Sequence, residues 1–148
     1  MSDFDIKFGP WINYGIGNKK DDVKGKMTDL VQEIWSPFNG QDRAKVFIFC
    51  MAYGFAKGME PVKPPQAGSG SMPASAFDAE MRNYMKLVAI SAKEDFSVAI
   101  DPNEVVKICE GYAYAAFLTV YDKISNRDLS IKPEAILEKL IKETSKES

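Results

Sequence analysis

Four lysines around the start of the first helical pattern, with an arginine at the start of the next, are the residues of this chain whose type and spacing come nearest to chemistry. Gly15-Ile16-Gly17-Asn18-Lys19-Lys20 leads into that helix, Lys24 and Lys26 follow, and Arg43 opens the next helix. Backbone N–H groups and the positive end of the helix dipole make such a turn an anion site. The cluster Lys19, Lys20, Lys24, Lys26 and Arg43 is therefore the candidate contact for nucleic-acid phosphates. The spacing is not that of a P-loop, and no firm strand precedes it as in a dinucleotide site. Asp21 and Asp22 lie in the same stretch, and a flexible turn is the plainer reading.

The other chemical classes are thinly supplied. The chain has no histidine, which removes Ser-His-Asp and Cys-His nucleophilic sites and imidazole metal sites. Its two cysteines, Cys50 and Cys109, sit inside apolar helical patterns. They read as small buried hydrophobes ahead of a disulfide or a reactive thiol, and they are too few for a structural zinc site. No acidic pair points into a core stripe. Glu110 shares a helical face with Asn103, Lys107 and Tyr114, which reads as the solvent side. Asp78 with Glu80, and Glu94 with Asp95, read as helix-end charges. No catalytic residue, metal site or cofactor is expected. Exposed aromatics beside lysines suit single-stranded nucleic acid, and only Tyr14 with Lys19 and Lys20, or Tyr114 with Lys107, qualify.

The elements that must position these groups are helical. At 148 residues and a formal charge of −2, one ordinary globular domain is expected. Basic residues are not pooled in either half, so bulk charge does not suggest strong DNA binding. Met1–Pro10 holds acids and alternating apolars instead of a secretory leader, and Val46–Ala56 is too short an apolar run to span a bilayer. A soluble cytoplasmic protein is expected.

Phe4-Asp5-Ile6-Lys7-Phe8 alternates briefly and stops at Pro10, so residues 1–20 read as an extended arm pinned by Trp11, Ile12, Tyr14 and Ile16. A helical domain follows over 21–144. Asp21 or Asp22 caps a first helix with the stripe Val23, Met27, Leu30, Val31 and Ile34, ending near Trp35. Ser36-Pro37-Phe38-Asn39-Gly40 breaks it. A second helix, 41–57, is apolar on every side over 46–56, as in a helix surrounded by others. Truncating its Phe47 or Ile48 to alanine is expected to open a cavity. Gly58 suits its C-terminal cap. Prolines and glycines crowd the 58–74 loop, a plain connector or a partner contact.

Ser75 with Asp78 opens a third helix, buried through Phe77, Met81, Tyr84, Met85 and Val88. Asp101-Pro102-Asn103-Glu104 starts a fourth, with Asp101 as N-cap and Pro102 at the first helical position. Its stripe runs through Val105, Ile108, Cys109, Tyr112, Ala113, Ala116, Val120 and Ile124. Gly111, Ala113, Ala115 and Ala116 would let another helix approach closely. Pro133 starts a fifth, with Ile136, Leu137, Leu140 and Ile141 on one side, and the tail over 145–148 is expected to fray. The fold class is therefore all-α, a single compact domain of about five helices with an extended N-terminal arm.

Gln32 to Ile124 also resembles a small helical family associated with the DNA phosphorothioation (dnd) system. The residues that carry the resemblance are Trp35-Ser36-Pro37-Phe38 and the run from Lys45 to Gly58 followed by Pro61. Tyr84 to Ile90, and Asp101 through Glu110-Gly111-Tyr112-Ala113, resemble the later helices. The N-terminal 20 residues do not match the pattern. The matching motifs are packing motifs, so the resemblance implies no catalytic residues. It implies a prokaryotic accessory protein of a DNA-modification or phage-defence cluster, acting through protein partners. On this reading any nucleic-acid contact is weak; the alternatives are a small helical nucleic-acid-binding subunit and a small enzyme of unknown type. A basic face built from the five cations would favour the former, and an enclosed polar pocket with buried carboxylates the latter.

Overall fold

A computed structural model describes residues 11–65, 72–126 and 130–146. The alternating Phe4–Phe8 stretch and the residues from Gln66 to Ser71 in the Pro/Gly-rich loop lie outside them. Among the described residues the fold is all-α as expected. The helices are α1 (Val23–Gln32), α2 (Arg43–Ala56), α3 (Ala79–Lys93), α4 (Pro102–Ser125) and α5 (Pro133–Lys146). The arm's described part carries a two-residue strand, β1 (Trp11–Ile12), paired antiparallel with β2 (Met72–Pro73), Trp11 opposite Pro73 and Ile12 opposite Met72. This pairing was not legible in the sequence, because neither partner is long enough to show a two-residue period. Ile12 and Tyr14 do pin the arm in the core, but Trp11 is 57 % exposed.

Local signals set most helix ends. Asp22 caps α1 from a left-handed conformation, accepting from the Gly25 N–H. The helix ends at Gln32, short of Trp35. Ser36 explains why: this buried hydroxyl donates to the Leu30 carbonyl and accepts from the Phe38 N–H. Gly40 N–H and the Asn39 amide then satisfy the Val31 and Gln32 carbonyls. The Ser-Pro-Phe-Asn-Gly segment thus caps carbonyls that a helix end otherwise leaves unpaired. Ile34 lies beyond the end of α1 and is 86 % exposed, not part of the stripe.

Asp78, not Ser75, is the N-cap of α3, accepting from the Met81 N–H; Ser75 belongs to a short 3₁₀ turn over Ala74–Ala76. A second 3₁₀ turn, Phe96–Ile100, fills the connection to α4. Asp101 caps α4 with Pro102 at its start, as the sequence indicated. The last described residue of α5 is Lys146, inside the segment expected to fray.

The core forms around α2, which packs against each of the other four helices, most extensively α4. Phe47, Cys50 and Met51 of α2 meet Phe77, Met85, Val105, Cys109 and Ala116 in one apolar cluster. Phe47 stands edge-on to Phe77, ring centroids 5.5 Å apart, a favoured arrangement for the aromatic quadrupole. Cys50 and Cys109 are free and buried, and burial pushes both thiols up, away from the reactive thiolate. The expectation that α2 is enclosed on every side is corrected. Ile48, Phe49 and Ala52 are only half-buried and Ala56 is exposed.

Candidate functional site

The cation-bearing turn is built more tightly than a flexible loop. Gly15, with φ +105°, lies beneath the Tyr114 ring, which a Cβ there would strike. Asn18 binds Asp21 and donates to the Tyr114 hydroxyl at 2.9 Å. Tyr114 is therefore packed and hydrogen-bonded, not an exposed stacking platform beside Lys107. Lys19, Lys20 and Lys24 are exposed. Lys26 is half-buried, donating to the Asp21 carbonyl and lying 5.6 Å from the centre of the Tyr121 ring. Arg43 lies 6.0 Å from the centre of the Tyr14 ring. Two of the five cations thus serve tyrosines on different elements. The Asp22 carboxylate already takes the Gly25 amide at the start of α1, where a bound phosphate would have to sit.

Two concave features lie elsewhere. One is an open apolar groove of about 480 Å³. Its floor is a stripe of α2: Ile48, Phe49, Ala52, Tyr53 and Ala56, with Lys45 at the α2 N-terminal end. Met81 and Tyr84 of α3 form one wall, and Ile141 and Thr144 of α5 the other. Phe38 meets Phe49 edge-on at 5.6 Å, and Phe49 stacks on Tyr53. Tyr53 donates to Glu143, which also pairs with Lys123 at 3.2 Å and so ties α5 to the end of α4. Periodicity assigned Tyr84 and Ile141 to buried faces, yet they are 44 % and 55 % exposed. The apolar stripes of three helices converge here with no described residue covering them.

The other is a polar cleft of about 550 Å³ on the outer face of α4. Glu110 lies in it, which corrects its placement on the solvent side. The arm crosses this face, and the Asn13 N–H donates to Glu110 Oε2 at 2.7 Å. Burial raises the Glu110 carboxyl above its ordinary value, and the Asn13 hydrogen bond lowers it in part. Asn13 also donates to the Pro65 carbonyl and accepts from the Gly15 N–H, so one side chain staples the arm to the proline-rich segment. That segment lies on Gly111, where a Cβ would come within 2.8 Å of Pro61 Cβ, and Val62 N–H donates to the Gly111 carbonyl. The small residue at 111 thus admits a loop, not a helix. Lys63, Lys93, Lys107 and Glu104 complete the charged lining.

Among the described residues no three cysteine or acidic side chains gather as a metal site requires, and no helix is long and apolar enough to cross a membrane. No family model matches the chain, and neither does any curated protein or solved structure.

Proposed function

We propose that this is a non-enzymatic accessory protein of the cytoplasm that holds an amphipathic helix of a partner protein in the groove over α2. The observation that carries the reading is the convergence of uncovered apolar stripes from α2, α3 and α5 on one open groove. Helix-in-groove recognition uses anchors at i, i+3, i+4 and i+7 laid along such a floor. The stripe from Lys45 to Ala56 runs roughly 16 Å at 1.5 Å per residue, the length of about three turns of a partner helix. Lys45, at one end, is exposed and hydrogen-bonds the neutral amide of Gln41, so it favours an acidic residue beside the partner's apolar face. The resemblance of Gln32 to Ile124 to the dnd-associated family supplies the setting, a DNA-modification or phage-defence cluster. It rests on the quoted residues alone.

Ala52→Trp tests the reading, because the indole would occupy the groove without entering the core. Co-purification of the partner from the native host should fall about tenfold or more relative to wild type, the scale of losing one anchor residue, with the melting temperature unchanged. Undiminished recovery of the same partner would overturn it.

A further inference from the structure

We propose that the cleft over Glu110 is a binding site for a small organic carboxylate with an apolar body. The site shares no lining residue with the groove. Three lysines, Lys63, Lys93 and Lys107, line it from three elements: the proline-rich segment, the end of α3 and α4. Among the described residues none of them makes a side-chain hydrogen bond or an ion pair. Two carboxyl groups, Glu104 and Glu110, share the lining, so lysines outnumber carboxyl groups there three to two. That balance favours an anion, and the apolar part of the lining, which inorganic phosphate cannot use, favours an organic carboxylate.

Apart from Asn13 and Gly111, the remaining lining is apolar: Pro61, Pro64, Ala92, Ile108 and the Tyr112 ring. Tyr112 is itself held edge-on by Phe55 at 5.5 Å. Small-molecule sites combine apolar walls with a few convergent polar groups in volumes of roughly 300–1,000 Å³, and this cleft has that size and make-up. Glu110 is fixed at the base by the Asn13 N–H. A neutral side chain there would keep that bond and remove a like charge from the ligand's surroundings.

The test is a titration of the purified full chain with benzoate, hexanoate, benzylamine and inorganic phosphate, followed by amide chemical shifts. Benzoate and hexanoate should shift Ala92, Ile108, Gly111 and Tyr112 saturably. Lys107→Met and Lys93→Met should each weaken that binding about tenfold, the scale of one charge-assisted hydrogen bond. Glu110→Gln should bind at least as tightly as wild type, and Ala52→Trp should bind equally well. Three results would overturn the proposal. The first is no saturable shift up to about 10 mM, tenfold above a dissociation constant of about 1 mM. The second is phosphate binding as tightly as benzoate. The third is preference for benzylamine with loss of binding in Glu110→Gln, which would make the cleft a cation site.

Discussion

Gly54 of α2 rests against the main-chain carbonyl of Tyr112 in α4, so closely that a Cβ would lie 2.7 Å from that oxygen and 3.2 Å from the Ala116 Cβ. The two longest-packed helices of the fold meet at this point. A backbone carbonyl cannot swing aside as a flexible side chain can. Gly54→Ala therefore has to push the helices apart. Overpacking of this kind costs about 1–3 kcal/mol, set against a gain of about 1 kcal/mol from replacing glycine inside a helix. The expected result is a lower urea midpoint; a higher one would mean that α2 and α4 separate freely.

Phe47 and Ile48 are neighbours in sequence with opposite surroundings. Phe47 is 1 % exposed and packed on Phe77, whereas Ile48 lies on the groove floor. Phe47→Ala should cost about 3–5 kcal/mol through the cavity it leaves. Ile48→Ala should cost well under half as much, since its side chain is still half in water. Denaturant unfolding of both variants checks this, and equal losses would mean that the groove is closed in solution.

Glu110 should make stability depend on pH in a particular direction. Its carboxyl is raised by burial above the ordinary 4.5. Between that value and the raised one, the folded chain binds more protons than the unfolded chain. Stability therefore falls as pH rises through that interval. Glu110→Gln keeps an acceptor for the Asn13 N–H and does not titrate. It should melt above wild type at pH 7, with the difference vanishing near pH 4. An advantage at pH 4 that disappears at pH 7 would reverse the assignment.

Lys19, Lys20 and Lys24 are exposed, but Asp22 takes a first-turn amide of α1. Nucleic-acid binding should be no tighter than the nonspecific range, on the order of 10⁻⁴–10⁻⁶ M at physiological salt, and should weaken steeply as salt rises. Fluorescence anisotropy with duplex and single-stranded oligonucleotides measures it. Tight, sequence-selective binding that is lost on changing Lys19, Lys20 and Lys24 to Glu would make the turn a true nucleic-acid site.

Helix existence was legible wherever local chemistry decides it, as at Asp101-Pro102, Gly58 and Pro133. Helical periodicity also assigned the right inward faces to Val23, Met27, Leu30, Val105, Cys109 and Ile124. Periodicity states which residues share a face, not what covers that face. Glu110 looked solvated because its cover, Asn13, comes from 97 residues away. The one available signal was Gly111 beside it, a small residue that admits close approach. For the same reason Tyr84 and Ile141 looked buried: their stripes are correct, and nothing described lies over them.

The groove is tested most directly by placing a photo-crosslinking benzoyl-phenylalanine at Ala56, which is exposed and on the groove floor, in the full chain in its native host. Lys19, exposed on another element, serves as the control position. The account predicts crosslinks from position 56, and not from position 19, to a partner segment with apolar residues at i, i+3 or i+4, and i+7 and an acidic residue beside them. Equal crosslinking from both positions, or position 56 crosslinks only to segments without that spacing, would contradict it.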